Sequence, residues 1–158
     1  MWRRLAAVME LLPGILDSQL VRDADLTHFD YLTLAMLSEA PERTLRMTAL
    51  AGLTNASLAR LSNVVRRLVG RGLVERRPCP GDGRATNVVL TEAGWTKVRA
   101  AAPGHVDQVR TAVFDRLDPD QLDQLSAICT RLLDGMDPDR KMVGHTTSED
   151  LPRSLRTE

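Results

Sequence analysis

Seven arginines fall within one short stretch of this 158-residue chain, and their spacing is the most chemically specific feature of the sequence. Between Ser57 and Asn87 stand Arg60, Arg66, Arg67, Arg71, Arg76, Arg77 and Arg84, opposed only by Glu75 and Asp82, seven against two for a net +5. Segments 1–56 and 88–136 each hold five basic and seven acidic residues, a net −2 apiece, so the overall balance of 21 against 21 hides a charge dipole. A guanidinium is permanently charged and presents a planar fork that fits a phosphate or the edge of guanine. A basic stripe on an otherwise acidic chain is the footprint of phosphate contact. A merely solvated face would mix its signs along a helix.

The small polar residues among these arginines point the same way. Ser57 can cap a helix that buries Leu58, Leu61, Val65 and Leu68, which leaves Ala59, Arg60, Ser62, Asn63, Arg66 and Arg67 on the opposite face. Arg71 and Gly72 end that helix with a cation at its negative pole and a glycine cap. Before it, Met47 to Leu53 reads as a helix of two turns, and Thr54-Asn55-Ala56 as a corner in which Asn55 takes a left-handed backbone. After it, Leu73 to Pro78 and Thr86 to Leu90 read as two strands joined at Pro80-Gly81-Asp82-Gly83. Two helices at a turn followed by a basic hairpin are the parts of a winged helix-turn-helix. A helix of that kind fits the major groove of double-stranded DNA with its N-terminal residues nearest the base edges.

Arg60 and Asn63 are accordingly the expected base readers, because arginine pairs in bidentate fashion with guanine and asparagine with adenine. Ser57, Ser62, Arg66 and Arg67 are expected to hold phosphates and set register, and Ala59 is expected on the same DNA-contacting face. On the first wing strand, alternation sends one of Arg76 and Arg77 toward DNA and the other toward solvent or a partner helix, and Arg77 is the one assigned to DNA.

The remaining chain must support that lobe. Hydrophobic residues make up 43% and aromatics only 3%, so the core is built from Leu, Val, Ala and Met, a composition that favours helices. Trp2, Leu5, Met9, Leu12, Leu16 and Leu20 form a helical stripe with a break or kink expected at Pro13-Gly14. Thr27 caps a second helix with Phe29, Leu32, Met36 and Leu37 inward, and Thr44 to Arg46 forms a short strand. Thr91 opens a long helix with a bend expected at Pro103-Gly104. Asp118-Pro119-Asp120-Gln121 starts the last one as a capping box with proline in the first turn. Its seam of Leu122, Leu125, Cys129, Leu132 and Met136 has no lobe of its own to cover it, so a partner chain is expected there.

The expected organisation is therefore mainly α with a small β-hairpin wing: dimerisation helices at 1–26 and 92–136, a DNA-binding lobe at 27–91, and a poorly ordered tail at 137–158. No apolar run approaches a membrane span and no leader pattern is present, so a cytoplasmic location without membrane attachment is expected. Cys79 and Cys129 lie far apart without a CxxC, and no metal or cofactor is expected. The sequence lacks GxxxxGK[ST], GxSxG and HExxH, and His28, His105 and His145 are scattered, so no enzyme is expected.

The stretch from Met47 to Gly94 resembles the MarR (multiple antibiotic resistance regulator) family of bacterial transcription regulators. The resemblance rests on Leu50-Ala51, on RGLVERR at Arg71 to Arg77, on Asp82-Gly83-Arg84, and on LTxxG at Leu90 to Gly94. Asn55 stands where the family often has glycine, Leu58 where proline or a small residue is frequent, and Cys79 where an acid is common. The resemblance implies a homodimeric repressor of a palindromic operator, with Arg84 entering the minor groove from the wing. Asp82 is then better explained as an anchor for that arginine or for the hairpin tip than as a DNA ligand. The resemblance also implies a small phenolic or aromatic-acid effector bound between the dimer helices and the lobe, which by position involves Trp2, His28, Tyr31 and Trp95. Two alternatives stand beside it. Cys79, flanked by Arg76, Arg77 and Arg84 on a hairpin expected to be exposed, suits a redox-responsive regulator. A nonspecific architectural DNA-binding protein would share the same charge pattern.

Overall fold

The computed structural model describes residues 1–142, apart from the side chains of residues 82–84. Six α-helices and a three-stranded antiparallel sheet follow one another as α1 (Trp2–Ala24), α2 (His28–Glu39), β1 (Thr44–Arg46), α3 (Met47–Leu53), α4 (Leu58–Gly70), β2 (Val74–Cys79), β3 (Asp82–Leu90), α5 (Glu92–Ala112) and α6 (Pro119–Met136). Single 3₁₀ turns at Pro41–Arg43 and Phe114–Arg116 complete the order.

Local chemistry sets the boundaries. Thr27 accepts from the Asp30 amide while Asp30 accepts from the Thr27 amide, a reciprocal cap that fixes the start of α2. Ser57 caps α4 through the Arg60 amide, and Asp118 with Gln121 caps α6 as expected. Asn55 adopts φ 47°, the left-handed corner that turns α3 into α4, and Gly72 at φ 70° follows the end of α4. Pro13 and Pro103 break neither α1 nor α5. Each removes one backbone hydrogen bond from a helix of more than twenty residues, and both helices stay continuous through packing.

The sheet runs in the order β1-β3-β2, so the longest strand is central. Cys79 pairs with Asp82 across a two-residue tip at Pro80 and Gly81, tighter than the four-residue tip expected. Gly81 at φ 82° permits that turn. Gly94 is demanded by packing: a Cβ there would lie 2.0 Å from the Leu73 carbonyl oxygen and 2.6 Å from Leu90 Cδ1. The glycine of LTxxG thus lets α5 seat directly against the end of the wing.

One core joins these parts, with Leu20, Leu26, Leu34, Leu37, Leu50, Leu61, Val65, Leu68, Val74 and Val88 essentially inaccessible. Two inward faces differ from expectation. In α2 the buried set is Asp30, Thr33, Leu34 and Leu37, while Phe29, Leu32 and Met36 are half-buried at its edges, because Asp30 turns inward to meet a cation. Leu58 is 51% exposed in the first turn of α4 rather than buried, and Val64 takes an inner position.

None of the α6 residues is buried, and Cys129, expected in a covered seam, is exposed. The expected tail differs at its start. Asp137 accepts the amides of Lys141 and Met142, and Lys141 packs beside Gly52, leaving a cavity of about 660 Å³ between this turn and the α3–α4 corner. Residues 143–158, the rest of the expected tail, lie outside the described residues. No helix among the described residues is long and apolar enough to cross a membrane.

Candidate nucleic-acid interface

The arginines divide by what balances their charge. Arg67 bonds Asp30, whose side chain is 2% exposed; Arg71 bonds the Asp25 carboxylate at 3.0 Å; Arg77 bonds Glu75 at 2.8 Å. Among the described residues, Arg60, Arg66 and Arg76 have only neutral partners. The Arg60 guanidinium lies 4.3 Å from the centre of the Phe29 ring. Arg66 donates to Asn63 Oδ1 at 3.1 Å. Arg76 donates to both the carbonyl oxygen and the hydroxyl of Ser62, each at 3.0 Å.

This division places two of the expected DNA-contact residues, Arg67 and Arg77, beside carboxylates. Arg67, expected to hold a phosphate, is engaged by a buried carboxylate, which must keep a cation beside it. On β2, Arg77 shares a face with Glu75 two residues away and is neutralised by it, whereas Arg76 faces α4. Arg76, rather than the expected Arg77, is therefore the one joined to α4. The signal was present, since a period of two places Glu75 beside Arg77.

The outward face of α4 then consists of Ser57, Ala59, Arg60, Ser62, Asn63 and Arg66, all exposed except the half-buried Ser62. Each hydroxyl has a defined role. Ser57 Oγ accepts the Arg60 amide and Ser62 Oγ accepts from Arg76, so both hydroxyl protons remain free to donate outward. Asn63 keeps its amide nitrogen and one lone pair available, so it can still meet an adenine edge while Arg66 holds its oxygen. Asp82 and Arg84 fall on β3 at the wing, but their side chains lie outside the described part of the structure.

The aromatic and redox candidates separate too. His28 and Tyr31 meet His105 of α5, with ring centres 5.9 and 4.5 Å apart. Burial holds both imidazoles below the ordinary histidine range, with Asp17 opposing it at His28 and His28 adding to it at His105. Burial, then Glu39, raises the Tyr31 phenol. His105 Nδ1 and Gln19 Oε1 are buried without a protein hydrogen-bond partner. Trp95 is about 15 Å along α5 from His105 and packs under Arg43 at 4.3 Å. Trp2, 66% exposed, is about 22 Å along α1 from Asp17. Neither tryptophan joins the histidine pair. Cys79, expected on an exposed hairpin, is buried and receives a hydrogen bond from Arg46 at 3.2 Å.

A helix-turn-helix with an exposed polar reading face, backed by a three-stranded sheet and a wing, defines the winged helix class. Residues 24–85 match the MarR family model. The fold superposes on Sco3205, a MarR family transcriptional regulator from Streptomyces coelicolor solved in complex with DNA, with a TM-score of 0.83 and 44% identity over 87% of this chain and 86% of that one. AbsC, another MarR family transcriptional regulator from Streptomyces coelicolor, gives a TM-score of 0.81 and 36% identity over 85% of this chain and 90% of that one. An HTH-type transcriptional regulator of Bacillus subtilis, YdcH, is 36% identical over 92 residues, 57% of this chain and 62% of that protein's length. The chain belongs to the MarR family of transcriptional regulators.

Proposed function

We propose that this protein is a homodimeric, sequence-specific repressor that reads a palindromic site in double-stranded DNA. The observation that carries the reading is the partition of charge: Arg60, Arg66 and Arg76, which have no carboxylate partner among the described residues, accompany Asn63 and two outward-donating serines at the exposed face of α4. Arg60 and Asn63 read bases; Ser57, Ser62 and Arg66 set register on phosphates, and Arg84 extends the contact from the wing. α1, α5 and α6 pair the two chains, which brings two reading helices to successive major grooves about 34 to 36 Å apart. That Sco3205 was solved in complex with DNA supports DNA binding by this chain.

Release by a small phenolic or aromatic acid fits the polar cluster of Gln19, His28, Tyr31 and His105, which lies where α1, α2 and α5 meet. The phenol and imidazoles offer hydrogen-bonding tips beside apolar walls.

Selection of bound genomic fragments by the purified protein tests the central claim. A shared palindrome with half-sites one helical turn apart is the expected result; recovery of fragments with no common motif, bound as tightly as random duplex, would sink it in favour of a nonspecific architectural protein. Asn63→Ala should relax base preference at one position per half-site by about 1 to 3 kcal/mol with little change on random DNA.

A further inference from the structure

Four consecutive residues at the start of α2 engage three other helices. The His28 amide donates to Asp17 of α1 at 2.8 Å, and the His28 and Tyr31 rings meet His105 of α5. Between them, Phe29 lies against the Arg60 guanidinium and Asp30 holds Arg67. Arg60 and Arg67 are seven residues apart, two turns, and so lie on one stripe of α4. The same turn of α2 therefore touches α1 and α5 on one side and grips the reading helix at two points on the other.

We propose that Phe29 and Asp30 are positioning residues for base reading by Arg60, and that the first turn of α2 carries the arrangement of α1 and α5 to the reading helix. The proposal rests on the assignment of α4 as the DNA reader. A guanidinium held over a ring by cation–π attraction spends no N–H donor on an acceptor, so Phe29 restrains the Arg60 fork without consuming a donor. An arginine already oriented loses less freedom when it meets a guanine edge. Asp30 supplies the second hold: it is buried, it accepts the Thr27 amide at 3.1 Å, and α4 cannot move away without leaving its charge unpaired. The capping box makes this turn stiff, so a shift imposed on His28 and Tyr31 is passed to Phe29 and Asp30 rather than absorbed.

A double-mutant cycle on the selected palindrome and its single-base variants tests the positioning role. Phe29→Leu keeps apolar volume but removes the ring, and it should lower preference at the Arg60-dependent position by about threefold to tenfold. Phe29→Tyr should restore that preference, and Phe29→Leu combined with Arg60→Ala should read no worse than Arg60→Ala alone. Additive losses, or a preference that Phe29→Leu leaves intact, would overturn the proposal while leaving the DNA-reading assignment standing. A wild-type protein without site preference would overturn both. For the transmission step, His105→Gln should displace the Nε resonances of Arg60 and Arg67 in the DNA-free protein, and unmoved resonances would refute it.

Discussion

At the level of single residues, an arginine's function follows from its neighbours more than from its place in a motif. Arg66 and Arg67 are adjacent on α4, yet one meets an asparagine amide and the other a buried aspartate. The exposed polar face of α4 was legible because its residue types and the serine cap are local properties. The diversion of Arg67 was not, since Asp30 lies thirty-seven positions away and its burial depends on how α2 rotates in the core. Three substitutions separate the roles. Arg76→Ala should weaken binding to every duplex and reduce the salt slope by about one counterion, whereas Arg77→Ala, already paired with Glu75, should change it less. Asp30→Asn keeps an acceptor for the Thr27 amide but frees Arg67, so random duplex should bind as well or better while preference for the palindrome falls. Parallel losses on both duplexes would count against the assigned positions. Competition titrations at several salt concentrations measure both.

The secondary elements were the most legible part, because their ends are written in short-range chemistry. Ser57, Thr27, Asp118 and Asn55 each mark a boundary by hydrogen bonding or backbone preference within three residues. Which face an element turns inward is settled elsewhere, as Leu58 and the rotated face of α2 illustrate. The seat of α5 on the wing leaves no space at Gly94, so Gly94→Ala should lower stability by about 3 kcal/mol, read as a shift in denaturant midpoint. The junction of α1, α2 and α5 should also respond to acid. His28 and His105 are held below their unfolded range, so between the folded value and about 6.5 the unfolded chain binds more protons. Stability contributed by these neutral rings is present above that window and lost as pH falls through it, and it is opposed lower down by Glu39, which burial raises. His105→Gln should flatten the loss between pH 7 and 5 in thermal unfolding; an unchanged profile would remove the pair as its source.

The whole molecule presents more apolar surface than one chain can use. Trp2, Val8, Met9, Leu11 and Ile15 of α1 and Ile128, Leu132 and Met136 of α6 are exposed, and α6 buries none of its residues. Exposed apolar positions repeated along two long helices at opposite ends of the sequence call for coverage by another surface, and the second copy proposed above would provide it symmetrically. This is why the sequence could announce an uncovered seam but a single chain could not complete it. Leu132 is 42% exposed, so its replacement leaves the described core intact. Leu132→Glu should therefore yield a folded monomer in sedimentation, with thermal stability that no longer rises with protein concentration. Each monomer retains a complete reading face, so binding to a single half-site should survive. Affinity for the full palindrome should fall by about a hundredfold or more, because the second contact is no longer held near the first. A Leu132→Glu protein that remains dimeric and keeps full palindrome affinity would place the pairing surface elsewhere, and the same measurements on Leu11→Glu would then decide whether α1 alone supplies it.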